Sequence, residues 1–311
     1  MALTPHGEND MAHNIETMAY TNEVPWHGLG AKLEKAPTVE GMLKAAQLDW
    51  QVERAPMFTQ DGQEIPGFAA LRRSSDNKVL DVVGSRYQPV QNAEAFDFFN
   101  EFVKAGKATM ETAGSLRGGQ LVWGLANMRQ EFEVSKGDKV KGYLLCVAPH
   151  QQGKSLIFRT TTVRVVCNNT LTLALKGKGN AHRVSHAKQF TTATIEQAKE
   201  ALGLAREQVA EFEVNAKKLH AKKLSKAAMI ELLAPLFKCT PDDMSKPMQM
   251  VMQSYELAPG AEVGTAWGSI NAVTHWADHV ASRTQDKRLT NAWLGKTANL
   301  KEAALKVLLE A

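Results

Sequence analysis

The sequence predicts an α+β protein. Three observations carry that expectation. Short β-like runs bounded by turn signals fill most of residues 50–170, few helices interrupt them, and beyond about residue 190 the pattern becomes helical and stays so. Strands first and helices afterwards fit an antiparallel β-meander with packed helices better than a doubly wound sheet. The expected domains are a mixed α+β core over residues 1–190 and a helical region over residues 191–311.

Residues 1–10 read as a polar leader, and Met11 is an equally good start. The segment PWHGLG that follows is turn-rich, with two glycines and a proline. Trp26 reads there as an anchor onto the core, and stacking on a base, with His27 touching a phosphate, is the functional alternative. Thr38 ahead of Val39, Met42, Leu43 and Ala46 predicts an N-capped amphipathic helix. WQVERAPMF, IPGFAALRRSS and KVLDVVGSRY then predict strands, separated by Asp61-Gly62 and Asp76-Asn77 turns. AEAFDFFNEFVKAG predicts a helix ending on Gly106, its aromatic stripe facing the core.

Strand-like runs on either side of Gly118-Gly119 come next, then EFEV and GYLLCVAP about Lys136-Gly137-Asp138. SLIFRTTTVRVVCNN is rich in the β-branched and aromatic residues a strand needs. Behind it, Asn168 or Asn169 is expected to cap a short helix, TLTLAL, whose N-terminus would attract an anion. The tail KGKGNAHRVSHAK reads as a flexible basic loop. From residue 191 the chain carries Glu/Lys pairs at helical spacing, then KAAMIELLAPLF, PMQMVMQSYEL, GTAWGSINAVTHWADHVAS and LKEAALKVLLEA.

Composition excludes several classes. The 311 residues are 44% hydrophobic, but no apolar run approaches the roughly 18 residues of a membrane helix. The amino terminus lacks a signal-peptide pattern, and Cys146, Cys167 and Cys239 have no CxxC spacing, so a cytoplasmic protein with buried thiols is expected. No phosphate-binding loop, nucleophile elbow or acidic two-metal cluster is present, and no cofactor is expected.

The charge is informative because of where it sits. With 37 basic against 33 acidic side chains the chain is nearly balanced, yet residues 139–195 contain no Asp or Glu. Lys139, Lys141, Lys154, Arg159, Arg164, Lys176, Lys178, Arg183 and Lys188 lie in that stretch, with His150, His182 and His186 among them. A surface of one sign concentrates polyanions, nucleic acid first among them. The plain alternative is a solvated face whose acidic partners come from elsewhere. In a regular strand Arg159 and Arg164, five apart, point to opposite faces. The candidate nucleic-acid-binding residues are Lys154, Arg159, Arg164, Lys176, Lys178, His182, Arg183, His186 and Lys188. A separate candidate is metal-ligating: His275, Asp278 and His279 stand at i, i+3 and i+4, although no general-base Glu lies between the histidines. A polar helix-packing cluster explains the same three residues.

PWHGLG, RTTTVRVVCNNTL and GTAWGSINAVTHWADH, in this order, resemble the phage/plasmid-like protein family, a domain of unknown function, from about Met11 to the C-terminus. The resemblance implies a bacterial host and a setting in replication, recombination or DNA protection on a mobile element. In architecture and charge, though not in motif, the chain is also similar to phage single-strand annealing proteins of the Red-beta and Rad type, which implies a basic groove and a homo-oligomer. The expected function is therefore binding of nucleic acid, single-stranded DNA above all, without catalysis. The alternative is a metal-dependent enzyme acting on nucleic acid or nucleotides.

Overall fold

The computed structural model describes residues 15–21, 30–164, 169–172, 181–186, 191, 193, 196, 205–282 and 295–311. Strands β1 (Ile15–Thr21) and β2 (Ala31–Leu33) come first, then helix α1 (Val39–Ala45). Strands β3 (Val52–Phe58), β4 (Glu64–Arg73) and β5 (Val79–Gly84) precede helix α2 (Asn92–Lys104). The long strands β6 (Thr109–Leu116), β7 (Leu121–Glu133), β8 (Lys139–Pro149) and β9 (Ser155–Arg164) follow, and then the short β10 (Asn169–Thr172) and β11 (Ala181–Ser185). Helices α3 (Ala205–Ala221), α4 (Lys226–Leu233), α5 (Lys246–Leu257), α6 (Ala266–His275) and α7 (Lys296–Glu310) complete the described chain. A 3-10 turn extends α4, and a π-helical turn, Trp276–Val280, extends α6.

The architecture is mixed α+β, with its helices mainly towards the C-terminus. The large sheet runs β10-β9-β8-β7-β6-β1-β2, antiparallel except for the β1–β2 pair, and β11 joins it on β9. The small sheet is β3-β4-β5, antiparallel throughout. β10 and β11 share one edge of β9: Thr172 lies opposite Thr161 and Ala181 opposite Arg159. Both pairings are antiparallel.

Local chemistry sets the helix ends as the sequence suggests. Thr38 Oγ1 accepts a hydrogen bond from Gly41 N at 3.0 Å and caps α1. At the start of α2, Gln91 and Glu94 form a reciprocal capping box, and the helix stops before Gly106 at φ +67°. The stripe of α2 is core, with Phe96, Phe98 and Phe99 fully buried. It can lie so close to the sheet because β7 offers Gly124, where a Cβ would stand 2.7 Å from the Phe96 ring.

One hydrophobic cluster runs from Met42 and Leu48 through α2 and the inner face of the large sheet to Phe212, Trp267 and Leu308. The strand-rich and helical parts thus share their packing. A second cluster (Met18, Tyr20, Leu116, Leu121, Trp123, Leu145, Val147 and Ile157) forms on the opposite face of the sheet.

Three local expectations are corrected. TLTLAL does not begin as a capped helix: Asn169–Thr172 is β10, paired with β9. Its threonines favour a pleated strand, and the exposed edge of β9 supplies the hydrogen bonds a helix would otherwise satisfy itself. The expected helix-terminus anion site is absent from that position. The basic tail is not wholly loop, since Ala181–Ser185 pairs with β9. Finally, the EFE segment is no separate strand: β7 continues through it, with a register shift about Arg129 at φ +56°.

Candidate nucleic-acid interface

The described residues of the acid-free stretch up to residue 186 form one end of the large sheet, with β8, β9, β10 and β11 as neighbours. Its charges have separate fates. Lys139 sits 2.9 Å from Glu131 of β7. Arg159 is buried and reaches Glu302 of α7 at 3.3 Å. Burial lowers its pKa, Glu302 works against that, and the nearby Arg183 guanidinium adds to it. The register of β8 and β9 is unbroken from Val140 to Val147, so no bulge interrupts the alternation along β9. The hydroxyl-bearing residues 160–162 are buried as well.

Lys154, in the β8–β9 turn, and Arg183, on β11, are exposed, and neither forms an ion pair with another described residue. Lys176, Lys178 and Lys188 lie outside the described residues, as do Trp26, His27 and Cys167. Among the described residues, acidic partners from elsewhere therefore account for Lys139 and Arg159 but not for Lys154 or Arg183.

The histidines are tied into the fold. His182 is half-buried, and burial lowers its pKa. His186 is buried and stacks on Tyr87 with ring centroids 4.6 Å apart, its Nδ1 donating to Gln88 O at 3.1 Å. In return, Gln88 N donates to His186 O at 2.6 Å. His150 is fully buried, with its Nε2 2.9 Å from Asn92 Oδ1. Asn92 spends its amide N–H on Leu48 O at 2.9 Å, so its Oδ1 accepts and His150 Nε2 carries the hydrogen. These contacts fasten the ends of β8 and β11 to the start of α2 and to the linker before it.

Burial pushes His150 down to about 3, with a smaller contribution from His186. The unfolded chain therefore takes up a proton near pH 6.5 that the folded chain refuses. The stabilisation is complete above pH 6.5 and is lost as pH falls from there towards 3, at about 1.4 kcal/mol per pH unit for His150 alone. Urea midpoints measured between pH 7 and pH 4 should fall in the wild type and fall less steeply in His150→Gln. Parallel curves would show that His150 is not buried neutral in solution.

The linker held by His186 brings in two cations that the sequence reading did not single out. Arg86 is exposed, and exposed Arg54 donates to Ser85 O at 3.1 Å and Tyr87 O at 2.6 Å. The contacts of Tyr87 and Gln88 with His186, between residues about a hundred apart in the chain, place that linker beside the end of β11. No local spacing marks such a contact.

The metal candidate is brought together only in part. The rings of His275 and His279 have centroids 5.0 Å apart, but Asp278 Oδ1 is 2.7 Å from the Lys301 ammonium. His275 Nδ1 lies 3.1 Å from Ser254 Oγ, and burial with His279 pushes its pKa to about 4. Among the described residues no group of three His, Cys, Asp or Glu could hold a metal ion. Nor is any described helix long and apolar enough to cross a membrane.

The GTAWGS motif has a packing role. Thr265 caps α6 by accepting from Gly268 N at 2.9 Å, and Trp267 Nε1 donates to Asp138 Oδ2 at 2.7 Å. That bond fastens α6 to the turn between β7 and β8.

A family model described as a domain of unknown function (DUF932) matches residues 79–293, more than half of the chain, and the chain belongs to that family. RTTTVRVVCNNTL and GTAWGSINAVTHWADH fall inside the matched span, while PWHGLG precedes it. No curated protein and no solved structure matches the chain.

Proposed function

We propose that this DUF932 protein binds single-stranded DNA through its phosphate backbone, at the β8–β11 end of the large sheet, and as an oligomer promotes annealing. The observation that supports the reading is the acid-free stretch folding as adjacent strands, with Lys154, Arg183 and Arg86 exposed about them. Lys176, Lys178 and Lys188 belong to the same acid-free stretch of sequence. Backbone contact of this kind requires cations at a surface and no catalytic group. The phage and plasmid setting belongs to the same proposal, resting on the resemblance of three motifs.

Binding of a fluorescent single-stranded oligonucleotide, followed by anisotropy across a salt series, tests the location. Each phosphate contact contributes about −0.7 to the log–log slope for a single strand. The double variant Lys154→Ala/Arg183→Ala should flatten the slope by about 1.4 and weaken all sequences alike. A slope identical to wild type moves the binding site away from this end of the sheet.

A further inference from the structure

The outer face of the small sheet carries apolar side chains in the open. Phe68 is 55% exposed, Val79 57% and Val82 41%. Register places them together: Phe68, Ala70 and Arg72 alternate along β4, opposite Gly84, Val82 and Val79 of β5. The other face, with Ala69, Leu71, Leu80 and Val83, is buried in the core. Phe58, in the part of the β3–β4 hairpin that extends beyond β5, is 57% exposed as well. Two phenyl rings so open on one short hairpin are expensive in water unless something covers them.

What lies beside this face indicates the occupant. Gly84, the register partner of Phe68, donates its N–H to Gln152 Oε1 at 3.1 Å, and Gln152 stands two residues before Lys154. A Cβ at Gly84 would meet nothing within 4 Å, so the space beside Phe68 on that side is open. Beyond Gly84 the chain passes exposed Arg86 and then reaches His186 at the end of β11, three residues from Arg183. Of the acids near this face, Asp81 accepts from Gln152 N at 2.7 Å and Val82 N at 2.9 Å, and Glu53, opposite Arg72 on the same face, is paired with that guanidinium at 2.8 Å. An exposed phenyl ring thus stands opposite the strand end that leads into the linker of Arg86 and touches the turn of Lys154, next to the acid-free strands.

We propose that the outer face of the small sheet is a base-stacking platform, on which Phe68 takes an unpaired base while Arg86, Lys154 and Arg183 hold the backbone. The occupant is a single-stranded nucleic acid. A duplex hides its base faces in its own stack, whereas every unpaired base offers one, so the contact selects for strandedness without selecting for sequence. This inference rests on the nucleic-acid reading above and adds to it the reason for a single strand.

The test compares an oligothymidine with a strand of equal length whose bases are replaced by abasic tetrahydrofuran units. Wild type should bind the base-bearing strand more tightly. Phe68→Ala should lose about five- to a hundredfold on that strand, a range set by the stacking of one base. Its salt slope should stay unchanged, and it should bind the abasic strand as wild type does. Phe68→Tyr should keep most of the affinity, and circular dichroism checks that both variants fold. If Phe68→Ala binds the base-bearing strand as wild type does, with the salt slope intact, stacking is wrong and backbone binding survives. If wild type binds neither strand, the functional reading fails and this inference with it. A change in the sedimentation mass of the free protein on Phe68→Ala would make the face a contact between copies of this chain, which also overturns the proposal.

Discussion

Replacing Lys301 with Ala is expected to lower the unfolding free energy by about 3–5 kcal/mol. Its side chain, on α7, is wholly buried with Nζ 2.7 Å from Asp278 Oδ1, and that carboxylate is only 6% exposed. Burial lowers the pKa of Lys301, Asp278 works against that, and the positive Arg159 nearby adds to the lowering. The pair pays a large desolvation penalty, so its worth lies in being complete. Removing the ammonium leaves a buried carboxylate beside a cavity. The double variant Lys301→Met/Asp278→Leu should recover most of the loss, since an apolar pair of similar volume escapes that penalty. Urea unfolding at pH 7 distinguishes the two variants. A loss below about 1 kcal/mol for Lys301→Ala would show that the pair is hydrated in solution.

Gly268→Ala is the second change with a large expected effect, about 3 kcal/mol or more. A Cβ at that position would stand 1.8 Å from the carbonyl oxygen of Glu262 and 2.6 Å from its carbonyl carbon. The obstacle is backbone, so no side chain can rotate away. Relief requires α6 to move, and α6 carries the Trp267–Asp138 bond that fastens the helices to the sheet. The variant should unfold at lower urea and show reduced protection from hydrogen exchange in the β7–β8 turn. Wild-type stability would mean that the segment before α6 adapts freely and that the motif glycine has another purpose.

Where side-chain pattern was the whole signal, the sequence was readable. The stripe of α2, the Thr38 cap and the three strands of the small sheet stand where periodicity and turn residues indicate. Failures came where a tertiary partner decided the outcome. TLTLAL, expected as a capped helix, alternates its leucines with the period of a strand, and the edge of β9 pairs with Asn169–Thr172. For His275, Asp278 and His279 the spacing left a metal site and a polar packing cluster both open, and the ammonium beside Asp278 comes from Lys301, twenty-three residues on. Among the basic residues, sequence located the acid-free stretch and could not tell exposed Arg183 from buried Arg159. The burial of Arg159 goes with its contact to Glu302, far along the chain. Phe68 and Arg86 were legible only after folding, because Gln152 and His186 bring their neighbours to the basic strands.

The central claim is that this fold holds nucleic acid by its backbone. Its most direct test is the affinity of the full chain for a single-stranded DNA oligonucleotide at a series of salt concentrations. Backbone binding predicts a straight log–log line with a negative slope of about 0.7 per phosphate held, similar for unrelated sequences. Absence of binding at about 50 mM salt, where backbone contacts are strongest, would contradict it.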